Sequence, residues 1–116
     1  MSIDISVLRR LLNIRIMVEG GSGWAYREFM DLLLDMLKER LSIMLSETLE
    51  PYGLEASFLE NRGCELFPNE RFCEELLVIG IYEQKSDEPV LYALYRAHRG
   101  ENTLEFKLEK LIERSS

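Results

Sequence analysis

The second half of the chain alternates apolar and polar residues with a period of two, which predicts a four-stranded antiparallel meander over Leu54–Ile112. Three turn signals divide it: Phe67-Pro68-Asn69-Glu70, Lys85-Ser86-Asp87-Glu88 and Arg99-Gly100-Glu101-Asn102. Proline, asparagine, aspartate and glycine favour these corners because they fit the backbone angles of tight turns. The last strand has a second interpretation as a terminal helix, whose apolar positions would be Leu104, Leu108, Leu111 and Ile112.

The first half has helical periodicity. A short amphipathic helix is predicted over Asp4–Leu12, with Asp4 as its N-cap. Residues 13–19 fit either a strand or a continuation of this helix, and we prefer the helix. A long helix is predicted over Trp24–Glu50, and Pro51 and Gly53 end it.

The apolar residues of the long helix form two neighbouring stripes. Together they cover too wide an arc for contact with a sheet alone, so the helix is expected to have a second neighbour. This neighbour is either the N-terminal helix or a second subunit. The first stripe contains Tyr26, Met30, Leu33, Leu37, Leu41 and Met44, and the second contains Phe29, Leu32, Met36 and Ile43.

These patterns predict one α+β domain over residues 1–116, with the long helix packed on one face of the antiparallel meander. The 47% hydrophobic and 30% charged content of the chain fits a single core of this kind.

Treating each turn as a hairpin corner pairs Phe58 with Ile79 and Tyr82 with Leu91, and so sorts the side chains onto two faces. We expect the long helix on the face that places the small residues Gly80 and Ala93 side by side. That face is Leu59, Leu76, Val78, Gly80, Tyr82, Leu91, Ala93, Tyr95, Ala97, Leu104, Phe106 and Leu108.

The opposite face has an apolar centre inside a charged rim, which is the usual composition of a protein interface. The centre is Phe58, Ile79, Ile81, Tyr92 and Leu94, and the rim is Arg96, Glu105, Lys107 and Glu109. We predict that it mediates homodimerisation or binds a partner protein. The alternative is that the N-terminal helix folds across it.

The formal net charge of −7 disfavours direct binding to nucleic acid, which needs a basic surface. The N-terminal region does not resemble a signal peptide, and no apolar stretch approaches the roughly 18 residues of a membrane span. We therefore expect a cytoplasmic protein without membrane contact. An excess of arginine over lysine and a single glutamine, Gln84, indicate a thermophilic source.

Cys64 and Cys73 are opposed across the first predicted hairpin, within reach of a disulfide. Two thiols are the expected state in a reducing cytosol, unless the source is a hyperthermophile. One histidine and two cysteines without close spacing predict no structural metal site, and no cofactor is expected.

Two candidates for chemistry are weak. His98 is predicted to face Glu75, but no motif supplies a nucleophile for it. Glu83-Gln84-Lys85 resembles the Glu-x-Lys half of the metal-dependent nuclease motif. The nearest acids, Glu74 and Glu75, are predicted at the far end of the same strand and are not placed to share the cation.

We therefore predict a non-catalytic protein-binding module, such as an adaptor, a chaperone-like protein or an inhibitor. It is expected to form a homodimer and to use the outer sheet face or the long helix for binding. One alternative is a small-molecule sensor with a pocket near Trp24, Tyr26 and Tyr82. A further alternative is a nuclease-like or redox protein.

Overall fold

The computed structural model describes residues 4–19, 26–59, 62–99 and 103–113. Within these ranges the chain is α+β, as predicted, with helices packed on an antiparallel sheet. Short 3-10 turns occupy Glu50–Tyr52 and Cys73–Glu75. The elements in chain order are α1 (Ile5–Leu12), β1 (Arg15–Glu19), α2 (Tyr26–Leu49), β2 (Leu54–Phe58), α3 (Gly63–Leu66), β3 (Leu76–Glu83), β4 (Pro89–Arg99) and β5 (Thr103–Glu113).

The sheet has the strand order β1-β5-β4-β3-β2, and all neighbouring strands are antiparallel. Strand β1 adds a fifth strand to the predicted meander, so the preference for a helix over residues 13–19 was wrong. Alternate side chains of this segment face the core and the solvent, as they do in a strand: Ile16 is buried opposite Phe106, whereas Met17 is exposed.

Helix α1 follows the prediction. The Asp4 carboxylate caps it by accepting a 2.9 Å hydrogen bond from the backbone N–H of Ser6, and this bond lowers the pKa of Asp4. Leu8 and Leu12 are buried on the side of α1 that meets the core.

Helix α2 buries one row of leucines spaced four residues apart against the sheet and α1. It ends as predicted, since Pro51 lies in a 3-10 turn and Gly53 takes the left-handed conformation with φ of 70°. The buried row is Leu37, Leu41, Leu45 and Leu49.

The register of β2 on β3 agrees with the prediction and pairs Phe58 with Ile79. The register of β3 on β4 does not, because Tyr82 pairs with Pro89 and Ile81 pairs with Leu91. A β-bulge lies at this step and adds a residue, Val90, to β4. A shift of one residue moves every side chain of a strand to the other face relative to its neighbour.

The predicted helix face was therefore right for β4 and β5 and wrong for β3. In β3, the side chains that pack against α1 and α2 are those at odd-numbered positions. In β4 and β5, they are the residues that the sequence had assigned to the helix face. The buried residues of this helix face are Leu77, Ile79, Ile81, Leu91, Ala93, Tyr95 and Phe106.

A second bulge separates two registers between β4 and β5. Tyr95 pairs with Leu108 and Leu94 pairs with Lys110, so Glu109 is the extra residue on β5. Beyond the bulge, Leu111 packs against the main core and Ile112 against a second cluster on the outer face. The segment is a strand through Glu113, and the alternative of a terminal helix was wrong.

The outer face of the sheet is covered by residues 62–75, which we call the cover segment. It contains α3 and the second 3-10 turn, where the sequence predicted the ends of two strands. Its side chains pack on a small cluster of buried sheet residues, Leu76, Val78 and Leu94. The connection between β2 and β3 therefore covers the outer face of the sheet, so this face needs neither α1 nor a partner to bury its centre.

Candidate functional site

The five residues of the predicted interface do not form one surface. Ile79 and Ile81 are 1% and 0% exposed and lie in the main core beneath the helices, and Phe58 packs against that core. Leu94 and Tyr92 lie in the outer cluster under the cover segment. The one-residue shift between β3 and β4 is the physical reason, because it places the two halves of the predicted patch on opposite faces.

Arg96 holds the cover segment on the sheet. Its guanidinium donates to the backbone carbonyl oxygens of Arg71 at 2.7 Å and Phe72 at 3.2 Å. It also forms two hydrogen bonds with the carboxylate of Glu109, at 2.9 and 3.0 Å. The fork geometry of arginine permits all four contacts at once, and the bonds to Glu109 raise the pKa of Arg96.

Two further contacts fix the same segment. The Lys110 ammonium lies 2.7 Å from the carboxylate of Glu70. The Phe67 ring meets Tyr92 edge to face, with 5.4 Å between the ring centroids. The cover segment is thus attached to β4 and β5 by side chains from several of its positions.

A disulfide between Cys64 and Cys73 joins the two halves of the cover segment, with 4.9 Å between the Cα atoms. The sequence placed these cysteines opposite each other but favoured free thiols for a cytosolic protein. The Glu74 carboxylate lies beside the bond, with Oε2 3.9 Å from Cys64 Sγ and 3.8 Å from Cys73 Sγ. Cys64 and Glu74 are exposed, so the group is open to solvent.

The second conspicuous surface is the side of α2 that faces away from the sheet. Met36 and Ile43 are 58% and 53% exposed there, and Met44, about a quarter of a turn closer to the buried leucine row, is 37% exposed. Met36 and Ile43 are two turns apart and lie on the same side of the helix. They belong to the second apolar stripe, for which the sequence predicted a further neighbour. The stripe's other two members, Phe29 and Leu32, lie outside the described side chains.

His98 does not face Glu75. Strand β3 begins at Leu76, opposite Arg96, so β4 extends past it and the cross-strand partner of His98 is Glu105. The Glu105 carboxylate is already bound by the guanidinium of Arg15, through one hydrogen bond of 3.1 Å and an ion-pair contact of 2.9 Å. The carboxylate across from His98 is therefore engaged by Arg15 instead of orienting the imidazole as a catalytic base would require.

Glu83, Gln84 and Lys85 lie at the end of β3, where Lys85 takes a left-handed turn conformation with φ of 67°. A group of histidine, cysteine, aspartate or glutamate residues close enough to share a cation occurs once among the described residues. It is Cys64, Cys73 and Glu74. Glu83 belongs to no such group in the described part of the chain.

The pocket proposed for a sensor also needs correction. Tyr82 lies on the outer face, where its ring covers Gly80, and α2 packs on the other face. Tyr26 is the first residue of α2, and Trp24 lies outside the described residues. Tyr82 therefore does not line a space between helix and sheet.

Sequence reasoning missed two of the residues that organise this region. Arg96 was assigned to the rim of an interface, although its contacts are with carbonyl groups of the same chain. Glu74 was considered only as a distant acid for the nuclease motif. Its position next to Cys73 was the available signal, because it places a carboxylate beside the disulfide.

The chain matches no family model, no curated protein and no solved structure in comparisons with each. In the part of the chain that the structure describes, no helix is both long enough and apolar enough to cross a membrane.

Proposed function

We propose that this protein is a non-catalytic protein-binding module that uses the outward side of α2 to hold an amphipathic basic helix of a partner. One observation carries the proposal: Met36 and Ile43 expose apolar side chains on the side of α2 opposite its buried leucines, and Met44 adds a third, partly exposed side chain at the edge of that surface. Exposed apolar side chains grouped on one element are typical of contact surfaces, whereas isolated ones are ordinary. Methionine suits this use because its flexible side chain adapts to different partners.

The charges around this stripe define the chemistry of the partner. Four exposed carboxylates border it, and Arg40 is the exposed base among them. A helix with an apolar stripe and lysine or arginine on both sides would match both features. The carboxylates belong to Asp35, Glu39, Glu47 and Glu50.

The acidic border makes self-association through α2 less favourable than binding of a basic helix. Two copies of this side would bring acidic borders together, and each copy carries a formal net charge of −7. The predicted homodimer through Ile79 and Ile81 would require both side chains to leave the main core. We therefore favour a partner of opposite charge over a second copy.

The binding test uses a synthetic amphipathic helix with leucine on one side and lysine on the other, together with a control peptide carrying glutamate instead of lysine. We expect the basic peptide to bind, more weakly at high salt, and the acidic peptide not to bind. Isothermal titration calorimetry measures both.

Met36→Gln combined with Ile43→Gln should weaken binding of the basic peptide at least about tenfold, since exposed apolar contacts are lost while the charge is unchanged. The variant should keep the wild-type circular dichroism spectrum, because both positions are exposed. Glu55→Gln, on an exposed position of β2, is the matched control and should bind as the wild type does. Equal binding by the wild type and the double glutamine variant, or no binding at all, contradicts the proposal. A wild-type dimer that the double variant converts to monomer in sedimentation would instead identify a second copy as the occupant.

Cytoplasmic location is part of the proposal. The Cys64–Cys73 disulfide is compatible with it in a hyperthermophilic source, where intracellular proteins retain disulfides.

A further inference from the structure

The disulfide and its neighbouring carboxylate contain the donor set of a metal site. Cys64 Sγ, Cys73 Sγ and a Glu74 carboxylate oxygen all lie within 4.8 Å of one another. Two sulfurs and one oxygen are ligands that zinc and related divalent cations accept, and a site with three protein ligands leaves a fourth position for water. The oxidised sulfurs cannot serve, because each is bonded to the other.

The cover segment would keep these three groups together after the disulfide opens. Arg96 binds the carbonyl oxygens of Arg71 and Phe72, immediately before Cys73. On the other side, α3 packs closely enough that Gly63 lies against the Cys73 carbonyl oxygen. Since both halves are held by contacts other than the disulfide, reduction would leave the two sulfurs near each other.

The electrostatics of the group also favour a cation. Glu74 forms no ion pair with a basic side chain among the described residues, and its nearest polar contacts are the two sulfurs. A carboxylate beside two thiolates would place three negative charges together, which is costly without a counter-charge. A divalent cation supplies that charge and displaces the two thiol protons.

We propose that Cys64, Cys73 and Glu74 form a redox-gated binding site for a thiophilic divalent cation such as zinc. A dithiol reductant transfers two electrons and two protons to the disulfide, which breaks the S–S bond, gives two thiols and leaves the reductant as its own disulfide. The cation then binds two thiolates and the Glu74 carboxylate, and two protons are released. In the reverse direction a small-molecule disulfide accepts two electrons from the two thiolates, which re-forms the S–S bond and releases the cation. The oxidant takes up two protons and leaves as two thiols. This inference is independent of the function proposed for α2.

Cobalt(II) is the probe for the test, because thiolate ligands give it a charge-transfer absorption that oxygen and nitrogen ligands do not. The full chain is reduced, freed of reductant without exposure to air and titrated with cobalt(II), then with zinc in competition. We expect one cobalt(II) per reduced chain with the thiolate absorption, its loss on addition of zinc, and none of this absorption with the oxidised chain.

Glu74→Gln tests the third ligand without removing the disulfide. We expect it to weaken zinc binding at least about tenfold, the smallest loss typical of damage to a metal site. Glu75→Gln is the matched control, since Glu75 is the adjacent exposed glutamate outside the group, and it should bind as the wild type does.

Cys73→Ser should abolish the thiolate absorption, with circular dichroism to verify its fold. The proposal is overturned if the reduced wild type shows no thiolate absorption. It is also overturned if the oxidised chain binds zinc equally well, or if Glu74→Gln and Glu75→Gln have the same affinity. Because these two variants are exposed, folding failure does not obscure the comparison.

Discussion

The Tyr95 hydroxyl donates a hydrogen bond to the backbone carbonyl oxygen of Leu12 and thereby links the middle strand of the sheet to the last turn of α1. Tyr95→Phe removes the donor and leaves a buried carbonyl without its partner, which we expect to lower the free energy of unfolding by about 1–3 kcal/mol. Urea denaturation measures this change. Tyr92→Phe is the control, because the Tyr92 hydroxyl forms no hydrogen bond with the described residues, and it should leave the free energy unchanged.

The same tyrosine makes stability depend on alkaline pH. Burial raises the pKa of Tyr95 above its ordinary value of 10.0, so the native state retains the proton after the unfolded chain loses it. The stabilisation is fully present below 10.0 and is lost as pH rises from there toward the raised value. We expect the free energy of unfolding to fall more steeply with pH in the wild type than in Tyr95→Phe. Parallel slopes for the two proteins above this pH would contradict the assignment.

Truncation to alanine should change the free energy of unfolding by different amounts at two isoleucines, one beneath the helices and one on their outward side. Ile81 is fully buried and Ile43 is 53% exposed. We expect Ile81→Ala to lower the free energy of unfolding by about 2–5 kcal/mol through lost burial and a cavity. Ile43→Ala should change it by no more than about 0.5 kcal/mol. Similar small effects in both variants, measured by chemical denaturation, would place Ile81 outside the core.

Arg96 should be sensitive even to replacement by lysine, because its side chain is largely buried in its contacts. Arg96→Lys keeps the charge but loses the fork that contacts Glu109 and two carbonyl groups, so we expect destabilisation of about 1–3 kcal/mol. Amide hydrogen exchange should also accelerate in the cover segment. Arg62→Lys is the control, since the Arg62–Glu65 pair is exposed and should contribute nothing measurable. Equal effects of the two replacements would show that Arg96 does not hold the segment.

Gly63 is expected to resist substitution for a steric reason. A Cβ atom at this position would lie 2.3 Å from the Cys73 carbonyl oxygen, and that oxygen belongs to backbone held by the disulfide. Gly63→Ala should therefore destabilise the chain by about 1–3 kcal/mol. At Gly80 the nearest atom, at 2.7 Å, belongs to the Tyr82 ring, which can rotate away, so Gly80→Ala should cost less. Thermal denaturation that ranks the two variants in reverse order would contradict this reasoning.

Helices α1 and α2 were predictable because their end signals are local, as with the Asp4 cap and the Pro51 and Gly53 stop. The pairing of β2 with β3 was also predictable, since the connection is symmetric about Pro68 and Asn69. The same symmetry brought Cys64 and Cys73 together.

The faces of the sheet were not predictable to the same degree. Each bulge adds one unpaired residue, whereas pairing assumed from the turns alone leaves no place for an unpaired residue. The predicted interface assumed that β3 and β4 pair without a bulge. The extra residue Val90 places Ile79 and Ile81 on one face of the sheet and Tyr92 and Leu94 on the other. The cover segment was missed because it forms only short turns, whose stability depends on contacts distant in sequence, such as those of Arg96.

The pairing of β1 with β5 has a consequence for the order of folding during synthesis. Arg15 and Glu105, which form an ion pair between these strands, are 90 positions apart in the chain. The β3–β4 and β4–β5 contacts are far more local and carry a smaller loop-closure cost. On the ribosome, β1 therefore cannot pair with β5 until β5 has emerged. We expect its addition to the sheet edge to be a late step of folding.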